Sequence, residues 1–130
     1  MGRPAELIAE IRADAGLEGF CASLGIDLLV VFGSVVADPD NARDVDLAYL
    51  SLAGTDQLTV TNAFLGRFGD GLDVMSLRDA SPVAKVEALG RGRILVERIP
   101  GLFATRQMAA FGEFEDTRMF RKTALEMIRA

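Results

Sequence analysis

Two aspartates, Asp44 and Asp46, stand two residues apart inside an otherwise apolar run. In a strand, residues two apart point to the same face with Cα atoms roughly 6.5 to 7 Å apart, so both carboxylates can reach one site. The charges repel each other, and a divalent cation relieves that repulsion; Mg²⁺ typically takes one or two carboxylates together with water and substrate phosphates. The pair predicts a metal site, and the simpler alternative is a solvated strand face.

A Gly-Ser pair, Gly33 and Ser34, ends the apolar run that precedes these aspartates. Where a strand turns into a helix, backbone N–H groups point outward and attract anions, glycine lets a phosphate approach the backbone, and a serine hydroxyl adds a donor. We therefore expect a phosphate-binding turn beside the metal site.

A third acid, Asp73, lies in a later strand-like segment. If that strand neighbours the one with Asp44 and Asp46, and Asp73 shares their face, three carboxylates surround one or two metal ions. Such a group suits phosphoryl or nucleotidyl transfer, because the metal stabilises the attacking and leaving oxygens while a carboxylate takes the proton of an attacking hydroxyl.

The composition excludes several other chemistries. The 130 residues contain no histidine, which removes Ser-His-Asp and Cys-His catalysis and histidine metal sites. The net charge of -5 argues against extended nucleic-acid binding. A single cysteine, Cys21, forms no internal disulfide and is expected in the core, and the absence of a signal-like N-terminus favours the cytoplasm. No apolar run approaches the roughly 18 residues of a membrane span.

Hydrophobic periodicity predicts the elements that position these residues. Helical spacing occurs in 4–24, with a break near Gly16, and in 55–68, 81–89 and 102–130, and residues 34–43 predict a short helix followed by a turn; strand patterns occur in 27–32, 44–50, 72–77 and 94–96. The alternation predicts an α/β protein of the α+β type: one domain, residues 1–130, with a mixed sheet of about four strands flanked by helices, including N- and C-terminal helices.

The spacing from Gly33-Ser34 to "DVDL" at 44–47 resembles the signature of the nucleotidyltransferase superfamily that includes DNA polymerase β. The short length, the "LDV" strand at 72–74 and the segment "ASPVAKVEALGRGRILVER" resemble the minimal nucleotidyltransferases, the antitoxin partners of HEPN toxins. The similarity covers about Val30 to Arg98.

This resemblance implies a site and an activity. Asp44, Asp46 and Asp73 would be the catalytic and metal-binding residues, with Asp73 as candidate general base, and Gly33 and Ser34 would contact the nucleotide. One or two Mg²⁺ ions would be the cofactor and ATP the substrate. The expected reaction is AMPylation of a tyrosine of a HEPN ribonuclease toxin, which is the expected partner; the oligomeric state stays open.

Two other functions stay open. Where active members often carry a small residue and an arginine after the Gly-Ser, this chain has Val36, Ala37 and Asp38, which favours a catalytically weak binding module that neutralises its partner by complex formation. Transfer to a small molecule is the third hypothesis, and it is disfavoured because such enzymes usually append an acceptor-binding domain.

Two further segments have structural interpretations. Gly90-Arg91-Gly92-Arg93 is interpreted as a helix end before a strand, with phosphate binding as the alternative. The C-terminal Phe111, Phe114, Met119 and Phe120 are interpreted as a stripe packed on the sheet, with partner binding as the alternative.

Overall fold

Helices and strands alternate along residues 3–129, the part of the chain that the computed structural model describes. The elements are α1 (Arg3–Ala13), α2 (Leu17–Ser23), β1 (Leu28–Phe32), α3 (Ser34–Ala37), a short 3-10 helix (Pro39–Asn41), β2 (Val45–Leu50), α4 (Gln57–Phe68), β3 (Leu72–Ser76), α5 (Pro82–Gly90), β4 (Arg93–Glu97) and α6 (Leu102–Arg129).

The four strands form one mixed sheet in the order β3-β2-β1-β4. β1 runs antiparallel to both β2 and β4, whereas β2 and β3 are parallel and joined through α4. A parallel pair needs such a crossover, because the chain must return to the same end of the sheet. The predicted α+β class and mixed four-stranded sheet are confirmed.

Two hydrophobic clusters cover the two faces of the sheet. The first combines β-strand residues such as Leu47 with side chains of α1, α2 and α4, including Phe64. The second combines Ala48 and Leu50 with side chains of α5 and α6, including Leu89. Because β2 alternates between the clusters, Asp46 belongs to the face that α5 and α6 cover, two residues before Ala48.

The predicted break near Gly16 is confirmed, since α1 ends at Ala13 and α2 begins at Leu17. The turn is held by Asp14, whose Oδ1 accepts a 2.9 Å hydrogen bond from the Gly16 amide and whose Oδ2 accepts a 2.8 Å bond from Arg67 Nε on α4. Cys21, on α2, is fully buried as expected.

Helix α6 departs from its sequence interpretation. Its buried residues are Leu102 and Ala110, near its start. Met119 and Phe120 are 66% and 78% exposed, so the expectation that they pack on the sheet is wrong. Phe114 is half-buried, with the guanidinium carbon of Arg121 4.0 Å from its ring centroid. Helix α6 has 28 residues, whereas α5, on which it packs, has nine. Helix α5 is therefore too short to cover the C-terminal part of α6.

Within residues 3–129, no helix combines the length and the apolar character needed to cross a membrane.

Candidate functional site

The turn from β1 into α3 is built on Gly33. Its φ of 78° and ψ of -152° lie in a region open essentially to glycine alone. The Gly33 carbonyl accepts hydrogen bonds from the amides of Val36 and Ala37, at 3.1 and 3.2 Å, which closes the first turn of α3. Ser34 is exposed at the start of this helix, which has only four residues. The turn therefore leaves the predicted phosphate-binding pair at the surface.

Asp46 lies directly against this turn. In the antiparallel register of β1 and β2, Asp46 pairs with Phe32, the residue before Gly33. A Cβ atom placed on Gly33 would overlap Asp46 Oδ2. The glycine thus lets a half-buried carboxylate lie beside the backbone at the end of β1.

Asp73 lies beside Asp46 on the neighbouring strand. The parallel register of β2 and β3 pairs the two residues, so the strand order assumed for Asp73 is confirmed, and paired residues share a face. Asp44 directly precedes β2, and both Asp44 and Asp73 are exposed. The three predicted acids therefore lie at the same end of the sheet, where β2 and β3 begin.

The electrostatics of Asp46 reflect this neighbourhood. Burial raises its pKa most, and the negative charges of Asp73, Asp44 and Glu87 raise it further. None of the ion pairs found within residues 3–129 includes Asp44, Asp46 or Asp73. The acids therefore repel one another without an ion pair to a basic side chain in this part of the chain, and carboxylate oxygens are the kind of ligand that a divalent cation prefers.

The carboxylates are close but not gathered around one point. Across residues 3–129, no group of three or more acidic or cysteine side chains is arranged to hold a metal ion. Metal binding by Asp44, Asp46 and Asp73 therefore stays a prediction.

A cavity of about 1060 Å³ opens next to Gly33 and Asp46. Its walls come from the end of β1, α3, α5, the turn before β4, and α6. The lining residues are Phe32, Gly33, Val36, Ala37, Asp46, Val86, Glu87, Gly90, Arg91, Gly92, Arg93 and Phe111. Ser34, Asp44 and Asp73 are not among them, so Asp46 is the predicted acid that reaches the cavity.

Comparisons with known proteins give matches among solved structures only. No protein family matches the sequence, and no curated protein does. One similar chain comes from a toxin-antitoxin structure with AMP-PNP, with 15% identity, a TM-score of 0.72, and 97% of this chain and 98% of that chain covered. Another comes from the Shewanella oneidensis complex of a tri-AMPylated HEPN toxin with an MNT antitoxin, with 14% identity, a TM-score of 0.66, and 98% and 97% covered. A third comes from a MntA-HpeT toxin-antitoxin mutant in which two aspartates are glutamates, with 15% identity, a TM-score of 0.72, and 86% and 94% covered.

The fold is that of the minimal nucleotidyltransferases.

In this nucleotidyltransferase fold, the sequence pattern predicts Gly33 and Asp46 at the site, and it gives phosphate binding at Gly90-Arg91-Gly92-Arg93 only as an alternative. Val86 and Glu87 come from α5 and Phe111 from α6, and the packing of these helices brings the three residues to the cavity, where no sequence pattern placed them. Arg91 and Arg93, whose segment predicts a helix end with phosphate binding as the alternative, line the same cavity. The sequence signal for these two arginines is their position on either side of Gly92. The reason for a glycine at that position is its close contact with Ala88, which the sequence alone does not show.

Proposed function

We propose that this chain is a Mg²⁺-dependent nucleotidyltransferase that moves AMP from ATP onto a protein hydroxyl, a tyrosine of a HEPN ribonuclease toxin, and so acts as the antitoxin. The observation that carries the proposal is the packing of Asp46 against Gly33, with Asp73 paired beside Asp46. This arrangement combines a glycine turn open to phosphate with a carboxylate, Asp46, that lines the same large cavity.

The proposed reaction is a displacement at the α-phosphorus of ATP. The acceptor oxygen forms a bond to that phosphorus, the bond to the oxygen bridging the α- and β-phosphates breaks, and pyrophosphate leaves with that oxygen. The proton of the acceptor hydroxyl passes to a carboxylate, and Asp73 is the candidate base because it is exposed beside Asp46. The Gly33 turn holds the triphosphate near its backbone.

Asp44 and Asp46 are the residues that would hold the metal, with Asp73 as a third ligand. When bound there, Mg²⁺ supplies positive charge that offsets the charge on the transferring phosphoryl group. The pairing of Asp73 with Asp46, with Asp44 two residues before Asp46, is the feature of the described residues that supports the assignment.

The proposed partner rests on the similar structures. One is described as a toxin-antitoxin with AMP-PNP, an ATP analogue, and another as an AMPylated HEPN toxin bound to its antitoxin. The similarity extends over nearly the whole of this chain and of those chains.

Toxin neutralisation in cells tests the antitoxin role. Co-expression with a cognate HEPN toxin is expected to restore growth, whereas the Asp44→Asn, Asp46→Asn double variant is expected to fail although it forms the complex. If the wild-type chain neither restored growth nor bound the toxin, the antitoxin role would be wrong.

A binding module without catalysis is the second candidate. It is favoured by the exposed acids Asp38 and Asp40, which follow α3 where a triphosphate would need cations, and by the incomplete gathering of the carboxylates. Full neutralisation by the Asp44→Asn, Asp46→Asn double variant, at equal expression, would establish this candidate over the enzyme.

A further inference from the structure

One wall of the cavity beside Asp46 is the turn from α5 into β4. The basic residues that line the cavity lie on this wall. The ionisable residues that line the cavity are Asp46 and Glu87, which are acidic, and Arg91 and Arg93, which are basic. Without the two arginines the lining would be purely acidic. A triphosphate would then meet only repulsion from the protein side chains.

The two arginines are available for a ligand. The ion pairs found within residues 3–129 involve other basic residues, such as Arg67, Lys85 and Arg98, and neither Arg91 nor Arg93. Arginine is suited to phosphate, because its planar guanidinium donates two parallel hydrogen bonds to the phosphate oxygens and stays charged at all physiological pH values.

The backbone between the arginines is fixed by Gly92. A Cβ atom on Gly92 would overlap the Ala88 carbonyl oxygen and lie 2.5 Å from Val30 Cγ1, so the turn packs directly on α5 and β1. The register of β1 and β4 then pairs Arg93 with Val31, two residues before Gly33. The backbone of the turn is thereby held at the same end of β1 as the Gly33 turn.

We propose that Arg91 and Arg93 bind the β- and γ-phosphates of the nucleoside triphosphate in the cavity that Gly33 and Asp46 also line. This inference rests on the proposed function and adds two binding residues to it. The wall with Asp46 positions the α-phosphate, and the arginine wall holds the pyrophosphate that leaves. Arg91 and Arg93 therefore discriminate ATP from AMP.

Calorimetry in the presence of Mg²⁺ tests whether the arginines bind the β- and γ-phosphates. The full chain is titrated with AMP-PNP and, separately, with AMP. Loss of one charge-assisted contact typically costs about tenfold or more in affinity. We expect Arg91→Ala and Arg93→Ala each to weaken AMP-PNP binding by about tenfold and the double variant by about a hundredfold, with AMP affinity within about twofold of wild type.

Arg106→Ala is the matched control, because Arg106 is an exposed arginine that lines a separate cavity of about 380 Å³. It is expected to bind both ligands like wild type. Thermal unfolding is measured for every variant, and Arg91→Gln and Arg93→Gln, which keep part of the side-chain stem, replace any alanine variant that unfolds early.

The possible results distinguish failure of the arginine assignment from failure of the proposed function. If the wild-type chain bound no AMP-PNP, the proposed function would fail. If the wild-type chain bound AMP-PNP and the folded double variant bound it within twofold, the arginine assignment alone would be overturned. Equal losses for AMP-PNP and AMP would overturn the assignment to the β- and γ-phosphates.

Discussion

Gly33 and Asp46 are packed so closely that one methyl group on Gly33 would overlap the Asp46 carboxylate. Asp46 lies in β2 and pairs with Phe32, the last residue of the antiparallel strand β1, which Gly33 directly follows. The Gly33 backbone, which a phosphate can approach, and the Asp46 carboxylate therefore lie side by side at one end of the sheet. The proposed chemistry depends on this arrangement.

Gly33→Ala is predicted to impair both folding and nucleotide binding. The positive φ costs about 1–3 kcal/mol for a residue with a Cβ, and relief of the overlap must move Asp46. Chemical unfolding should show that loss of stability, and calorimetry should show loss of AMP-PNP binding. Gly66→Ala is the control: nothing lies within 4 Å of its added Cβ inside α4, so we expect a gain of about 0.5–1 kcal/mol. Unchanged stability and affinity in Gly33→Ala would refute the packing described.

Gly92→Ala is predicted to destabilise the fold by about 1–3 kcal/mol, the usual cost of inserting a methyl group into a packed contact. The added Cβ would overlap the Ala88 carbonyl oxygen, a backbone atom that moves only with α5. Gly90→Ala, two residues earlier, is the comparison, because its Cβ would meet Phe111 Cζ at an ordinary 3.5 Å. Denaturant unfolding of the two variants should differ clearly; equal free energies of unfolding would contradict the described turn.

Asp14 is predicted to stabilise the fold in a pH-dependent way. Its hydrogen bonds from Arg67, and then from the Gly16 amide, hold its pKa below the usual 3.8. A lowered folded-state pKa gives stability that is complete above the unfolded pKa and lost as pH falls through the folded one. The Tm difference between wild type and Asp14→Asn should therefore be constant from about pH 5 to 8 and shrink below about pH 4. A difference that persists undiminished at about pH 2 would show that the carboxylate charge is irrelevant.

Glu10→Gln serves as the control for this titration. Its carboxylate lies 3.5 Å from Arg3, with both side chains 56% exposed, and such surface pairs contribute little. Its Tm should follow that of wild type at every pH.

Cys21 is predicted to be unreactive in the folded protein. Burial raises the pKa of its thiol to about 12, so the thiolate that reacts with alkylating agents is scarce at neutral pH, and the side chain is fully enclosed. Thiol titration should give less than about a tenth of one equivalent in buffer and one full equivalent in denaturant. Rapid labelling without denaturant would place Cys21 outside the core.

Periodicity predicted the strands and helices well, because alternation and helical spacing follow directly from which faces are buried. The break at Gly16 and the parallel pairing of Asp46 with Asp73 agree with those expectations. The placement of Met119 and Phe120 failed, since an apolar stripe does not reveal how far the partner helix extends. For Gly90-Arg91-Gly92-Arg93 the sequence leaves phosphate binding only as an alternative, and it does not place Glu87 at the site, because the approach of these residues to Asp46 depends on how α5 packs on the sheet.

Transfer of label from ATP to a cognate HEPN protein tests the central claim most directly. Purified chain, Mg²⁺ and the HEPN protein are incubated with ATP labelled at either the α- or the γ-phosphate, beside Asp44→Asn, Asp46→Asn and Asp79→Asn, an exposed aspartate past the far end of β3. Nucleotidyl transfer predicts α-label on the HEPN protein and no γ-label. It also predicts at least about a hundredfold loss in Asp44→Asn and Asp46→Asn, with Asp79→Asn like wild type. Absence of α-label, or α-label that survives both site substitutions, would contradict it.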